Sequence, residues 1–165
     1  MSAPAVQPHF THLECTHCGT TYAADAWRGL CECGRPLAAR YDLAKVGRLV
    51  ARAALVGRPS TLWRYREVLP LAFERAPVTL GEGFTPQHEL KAWAAQLGLG
   101  ALHVKDESPN PTASFKARGL CLAVTMAQAF GARVVALPSA GNAGGALAAY
   151  AARAGLMAHV FVPED

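Results

Sequence analysis

From residue 101 onward the chain switches between two hydrophobic periods. Ala101-Leu102-His103-Val104-Lys105-Asp106 sets apolar against polar residues in turn, which predicts a half-buried strand over Leu102–Asp106. Short apolar runs predict two more strands, over Arg133–Leu137 and Met157–Val162. Between them apolar residues recur at helical spacing and predict helices over Lys116–Phe130 and Asn142–Ala154. That order, strand–helix–strand–helix–strand, predicts an α/β fold with a parallel βαβαβ unit over residues 101–165. Upstream, Leu43, Val46, Leu49, Val50 and Ala54 keep helical spacing behind the capping candidate Asp42, so a helix is expected through Leu55, stopped by Gly57-Arg58-Pro59-Ser60. A further helix is expected over Glu89–Leu97, closed by Gly98. Residues 41–100 therefore read as a helical and loop lead-in, and residues 1–12 as a loose tail.

Composition narrows the class without changing that picture. The 165 residues are 52% hydrophobic, enough for a real core and against wholesale disorder. A net charge of +4, with 16 basic and 12 acidic residues and no dense basic run, argues against a nucleic-acid partner. No apolar stretch reaches the roughly 18 uninterrupted residues of a membrane span, so no membrane partner is expected. The start lacks the basic-then-apolar order of a secretory signal, and the cytoplasm is the default location. Without such a signal, the five cysteines point to metal binding or buried thiols more than to disulfides.

Four of those cysteines fall in residues 13–40, as Cys15-Thr16-His17-Cys18-Gly19 and Cys31-Glu32-Cys33-Gly34. Four thiolates gathered by two turns close a tetrahedral shell around Zn²⁺ with no open position, the arrangement of a structural site in a zinc-ribbon-like segment. His17 is an alternative ligand, and unrelated cysteines are the bland alternative. A segment this short builds little core, so a metal is its natural staple. The fifth cysteine, Cys121, stands between Leu120 and Leu122 and reads as a small buried apolar residue.

Two loops carry candidate chemistry. Asn110-Pro111-Thr112-Ala113-Ser114-Phe115-Lys116-Ala117-Arg118-Gly119 brings Lys116 to the first turn of a predicted helix, close to free backbone N–H groups. Those donors and partial desolvation favour the neutral amine, which can condense with an aldehyde. A solvated surface lysine is the ordinary alternative. Pro138-Ser139-Ala140-Gly141-Asn142-Ala143-Gly144-Gly145 bends from a strand into a helix N-terminus and suits an anion such as a carboxylate or phosphate. It is not the G-x-G-x-x-G of dinucleotide binding.

The string PTASFKARG resembles the lysine motif of the fold-type II (tryptophan synthase beta-like) pyridoxal-phosphate enzymes, with Ala113 where that family commonly has Gly. Ser139-Ala140-Gly141-Asn142 is similar to the same family's S-x-G-N loop. Three more stretches, the cysteine segment, Trp63-Arg64-Tyr65-Arg66-Glu67 and Leu80-Gly81-Glu82-Gly83-Phe84-Thr85-Pro86, resemble the threonine synthases within it, save that Gln87 replaces the usual Leu. The resemblance implies pyridoxal 5'-phosphate on Lys116, with Phe115 packed near its ring and Asn142 bonded to its phenolic oxygen. It implies a substrate carboxylate held by Ser139, Ala140 and Gly141. The implied activity is that of a lyase converting O-phosphohomoserine and water to threonine and phosphate, in an enzyme that is a candidate homo-oligomer. Relatives are more than twice as long, so this chain reads as an N-terminal portion, expected to be inactive alone. The alternatives are a serine or threonine dehydratase, a cysteine synthase-like enzyme, or a non-catalytic zinc-ribbon binding module.

Overall fold

The structure, a computed structural model, describes residues 9–24, 28–70 and 76–164. It divides into two compact units. One takes the residues up to Pro59 with Trp63–Pro77 and Ala129–Gly131; the other takes Ser60–Leu62, Val78–Gln128 and the residues from Ala132.

The first unit is built on three antiparallel strands: β1 (Phe10–Cys15), β2 (Thr21–Tyr22) and β3 (Leu37–Tyr41), with β1 in the middle. The strand thus starts inside the stretch that reads as a loose tail. β1 pairs Leu13 with Tyr22 and Cys15 with Leu37, and a bulge lies between Phe10 and His12. Cross-strand pairs hold the register. Phe10 and Tyr41 stack with centroids 5.4 Å apart, and Arg40 grips Glu14 through two bonds of 3.0 Å.

Asp42 caps the next element as expected, its Oδ1 accepting from the Lys45 N–H at 2.8 Å. The helix itself is shorter than its apolar pattern: α1 spans Leu43–Leu49, and a separate 3-10 turn covers Arg52–Leu55. The chain is extended at Ala51 between them. The Leu55 carbonyl is taken by the Arg64 guanidinium at 2.8 Å, a partner that no local periodicity reports. Arg58 closes this region by a two-point pair with buried Glu67 at 2.8 and 2.8 Å.

In the second unit, β4 (Gln87–Glu89) replaces the expected start of a helix, and α2 is confined to Lys91–Gln96. The cause is β5 (His103–Lys105), which pairs antiparallel with β4 in register Gln87↔Lys105 to Glu89↔His103. That pairing, extended by Leu90 N–H to Leu102 and Asp106 N–H to Pro86, draws Glu89 into a strand. Two long helices follow, α3 (Lys116–Ala129) and α4 (Asn142–Ala154). They alternate with β6 (Val134–Pro138) and β7 (Met157–Phe161), which pair in parallel from Val134↔Met157 to Pro138↔Phe161. β6–α4–β7 is therefore one strand–helix–strand crossover of the expected kind. Among the described residues β5 pairs with β4 and not with β6 or β7.

Small residues set how closely these elements approach. The buried positions of α3 are Ala117, Cys121, Val124, Thr125 and Ala127, and those of α4 are Gly144, Ala146, Leu147, Tyr150 and Ala151. At Gly144 a Cβ would stand 2.8 Å from Cγ1 of Val160, so a larger residue there would have to displace Val160 for the first turn of α4 to seat on β7. Cys121 is buried, as its neighbours predict. Gly155, in the left-handed conformation, ends α4.

Candidate functional site

The lysine loop reaches α3 through a strained bend. Pro111–Ala113 forms a 3-10 turn in which Thr112 and Ala113 have φ of 63° and 52°. Residues with a Cβ pay about 1–2 kcal/mol each in that region, which explains why glycine suits position 113. Lys116 follows as the first residue of α3, half-buried, with Nζ 4.7 Å from the ring centroid of exposed Phe115. Two residues before it, the Ser114 hydroxyl is buried and finds no partner among the described residues.

Side chains that the sequence pattern did not single out hold this loop in place. Buried Asn110 accepts from the Gly83 N–H at 3.0 Å and donates to Glu107 Oε2 at 2.8 Å. Glu107 in turn receives two bonds from Arg118, at 2.6 and 2.9 Å, and one from the Thr85 hydroxyl. The glycine-rich loop at 79–86, the turn at 107–110 and the first turn of α3 are thereby one network. The only local hint was Asn110 ahead of a proline; apart from Glu107, three residues before it, the partners come from 11 to 33 residues away in sequence.

The Arg118 guanidinium, then the Thr85 hydroxyl and the Asn110 amide, hold the Glu107 carboxyl down to about 2 against an ordinary 4.5, opposed by partial burial. A carboxyl that binds its proton more weakly in the folded than in the unfolded state stabilises the fold above the unfolded value. The contribution is therefore complete above about pH 4.5 and lost as the pH falls toward 2. Thermal melts down the acid limb are expected to show this loss. The Glu107→Gln variant should be less stable near neutrality and flatter below pH 4.5; an unchanged acid slope would count against the assignment.

A second carboxylate lies deeper. Glu82 is fully buried and accepts from the Tyr150 hydroxyl at 2.7 Å, the Thr79 hydroxyl at 3.0 Å and the Leu80 N–H at 3.0 Å. Burial first, and Glu82 second, push the Tyr150 phenol up, which keeps it protonated and donating. The same two influences raise the Cys121 thiol. Glu82 therefore ties the glycine-rich loop to the middle of α4. Gly83 beside it has φ 103°, and a Cβ there would lie 2.7 Å from the Leu62 amide.

The other loop is set by Ser139. Its hydroxyl accepts from the Gly141 N–H at 3.2 Å and the Gly144 N–H at 3.0 Å, and its own N–H goes to Phe161. Ser139 thus spends its groups on shaping the turn. Among the described residues, the N–H groups of Ala140 and Asn142 have no recorded acceptor, and both residues are exposed. Asn142 is the first residue of α4, and α4 lies against the Pro111–Ala113 turn of the lysine loop. The fold therefore gathers both loops in the second unit. An accessible amine and a buried hydroxyl without a partner fit a cofactor bearing an aldehyde, and free amides at a helix N-terminus fit a carboxylate beside it.

In the first unit the Sγ atoms of Cys15, Cys18, Cys31 and Cys33 all lie within 4.8 Å of one another, and His17 contributes no ring nitrogen to the cluster. Cys15–Cys33 and Cys18–Cys31 are 3.5 and 3.6 Å apart. Four sulfurs about 2.3 Å from one zinc ion stand about 3.8 Å apart, so the donor set fits the metal. The Thr20 hydroxyl, then its backbone and the neighbouring thiols, bring Cys18 down to about 6, while, against the Arg35 backbone bond, the neighbouring thiols and burial push Cys33 up to about 12.

The family model described as pyridoxal-phosphate dependent enzyme matches residues 78–165. The threonine synthase of Methanocaldococcus jannaschii is 41% identical over 150 residues, covering 91% of this chain and 37% of the relative. That of Methanosarcina acetivorans is 38% identical over 153 residues, covering 92% and 37%. That of Halalkalibacterium halodurans is 46% identical over 103 residues, covering 62% and 29%. The chain thus spans little more than a third of the length of the relatives that it matches most fully.

Proposed function

The chain belongs to the family of pyridoxal-phosphate dependent enzymes, and on that premise we propose that it forms the lysine-bearing part of a threonine synthase. The substrate in this reading is O-phosphohomoserine, which with water gives threonine and phosphate, in the cytoplasm. The observation that carries it is the joining of the Lys116 loop to α4, the helix that begins at Asn142. Similarity to threonine synthases over more than nine-tenths of the chain supports the choice of reaction.

Pyridoxal phosphate, when bound, supplies the electron sink that stabilises negative charge at the substrate's α-carbon. Lys116 would hold it and afterwards move protons at Nζ as base and acid. Phe115, already beside that amine, would cover the ring. Asn142 would bond the phenolic oxygen of the cofactor. The Ser139–Gly141 loop would take the substrate carboxylate, with the amides of Ala140 and Asn142 as its free donors and the Ser139 hydroxyl as the brace that aims them. The same reading has β5 join β6 and β7 in a parallel βαβαβ unit. The β6–α4–β7 crossover supports it. The four cysteines would hold a structural zinc ion, closed to substrate. No described helix is long and apolar enough to cross a membrane.

A substrate panel on the complete enzyme, of which this chain is the lysine-bearing part in this reading, tests the reaction. Phosphate release and threonine formation from O-phosphohomoserine are expected, with little turnover of serine, threonine or O-acetylserine. Preference for one of the latter would replace threonine synthase by a dehydratase or a cysteine synthase-like enzyme.

A further inference from the structure

The cysteine cluster is not symmetrical in what surrounds its sulfurs. Cys15 Sγ accepts from two backbone N–H groups, those of His17 and Cys18, each at 3.4 Å. Cys18 Sγ meets the Thr20 hydroxyl at 3.2 Å. Cys31 Sγ instead meets a phenol from another element: the Tyr22 hydroxyl on β2, at 3.0 Å and nine residues away in sequence. That hydroxyl is oriented from two sides. It accepts from the Glu32 N–H at 3.3 Å, which leaves its own proton for the sulfur. The ring is covered by the Arg28 guanidinium, 4.1 Å from its centroid, and a cation over the ring makes the O–H a better donor. A metal-bound thiolate carries no proton, so in the loaded site the phenol donates and the sulfur accepts.

We propose that Tyr22 is a positioning residue of the metal site, its hydroxyl donating a fixed hydrogen bond to the metal-bound sulfur of Cys31. This rests on the zinc reading above. The bond has two consequences. It draws electron density from Cys31, one of the two buried sulfurs of the cluster. It also fixes the side-chain direction of Cys31 before the metal arrives, because Tyr22 is held by strand pairing with Leu13. Outer hydrogen bonds of this type are worth about 10–100-fold in metal affinity.

The test uses cobalt(II) as the probe, in the full chain, with Tyr22→Phe and the control Tyr41→Phe, which removes a phenol at the far end of the same sheet. Wild-type protein is expected to give the intense absorption of four-thiolate cobalt. Tyr22→Phe is expected to bind cobalt about tenfold more weakly, with the sulfur-to-metal charge-transfer band moved to lower energy; Tyr41→Phe should leave that band in place. Unchanged affinity and band in Tyr22→Phe would overturn the proposal. Weaker binding with an unmoved band would also overturn it, since that marks a purely structural loss. A wild-type chain that gives no four-thiolate spectrum would remove the zinc reading itself, and the Tyr22 role with it.

Discussion

In the complete enzyme that the proposed reading calls for, replacing Lys116 by alanine is expected to abolish borohydride-stable attachment of pyridoxal phosphate and to lower threonine formation by roughly 10²–10⁴-fold. The reason is local. Lys116 opens α3 with its amine against Phe115, while Lys105, the nearest other lysine in sequence, is bonded through Nζ to the Thr85 carbonyl. Mass analysis of the peptide spanning residues 116–118 after reduction reads the attachment directly. The Lys91→Ala control should retain both attachment and rate, because that side chain is 81% exposed in a surface pair with Glu89. Cofactor trapped on another lysine, or a Lys116→Ala variant of undiminished rate, would sink the assignment.

Withdrawing metal from the cysteine cluster is expected to unfold the three-stranded sheet β1–β3. Structural zinc contributes about 10–16 kcal/mol of apparent binding energy in small zinc-finger peptides. The sheet offers little to replace it, since its strands bury chiefly Cys15 and leave the other positions half-buried or exposed. Amide hydrogen exchange over residues 10–41 should rise sharply on chelation and recover when zinc is restored. Cys15→Ser should reproduce the chelated pattern without chelator. Protection that survives both treatments would show that the strands hold themselves and that the thiols are not their staple.

The sequence was most legible where a local pattern and a global role coincide. Lys116 and Asn142 were singled out because their loops resemble the fold-type II motifs, and each opens a helix after a turn signal; the cysteines stood out because their spacing is their chemistry. β6, α4 and β7 were equally readable: the helix expected over Asn142–Ala154 has those bounds, and both strands fall within one residue of the expected ones. The failures have a common cause in distant partners. Glu89 fits a helix until β5 arrives to pair with it. The apolar spacing from Leu43 to Ala54 suggests one helix, yet the chain breaks near Ala51 and Arg64 claims the Leu55 carbonyl. Glu82 looks like a solvated charge in a glycine-rich turn; only Tyr150 makes it a buried acceptor. Glu107 and Arg118 stayed hidden for the same reason, since a charged residue does not announce the ion pair it will make.

The Glu82–Tyr150 bond also fixes an order of events. Its partners are 68 residues apart in sequence, so the entropic cost of bringing them together is paid before the contact returns anything. Contacts of that range form late, after helices and hairpins have gathered locally. The β4–β5 hairpin and α3 can assemble from near neighbours, whereas the glycine-rich loop is joined to α4 only when the whole stretch between them has condensed. A chain emerging from a ribosome would therefore carry Lys116 at the head of α3 before the glycine-rich loop has been joined to α4.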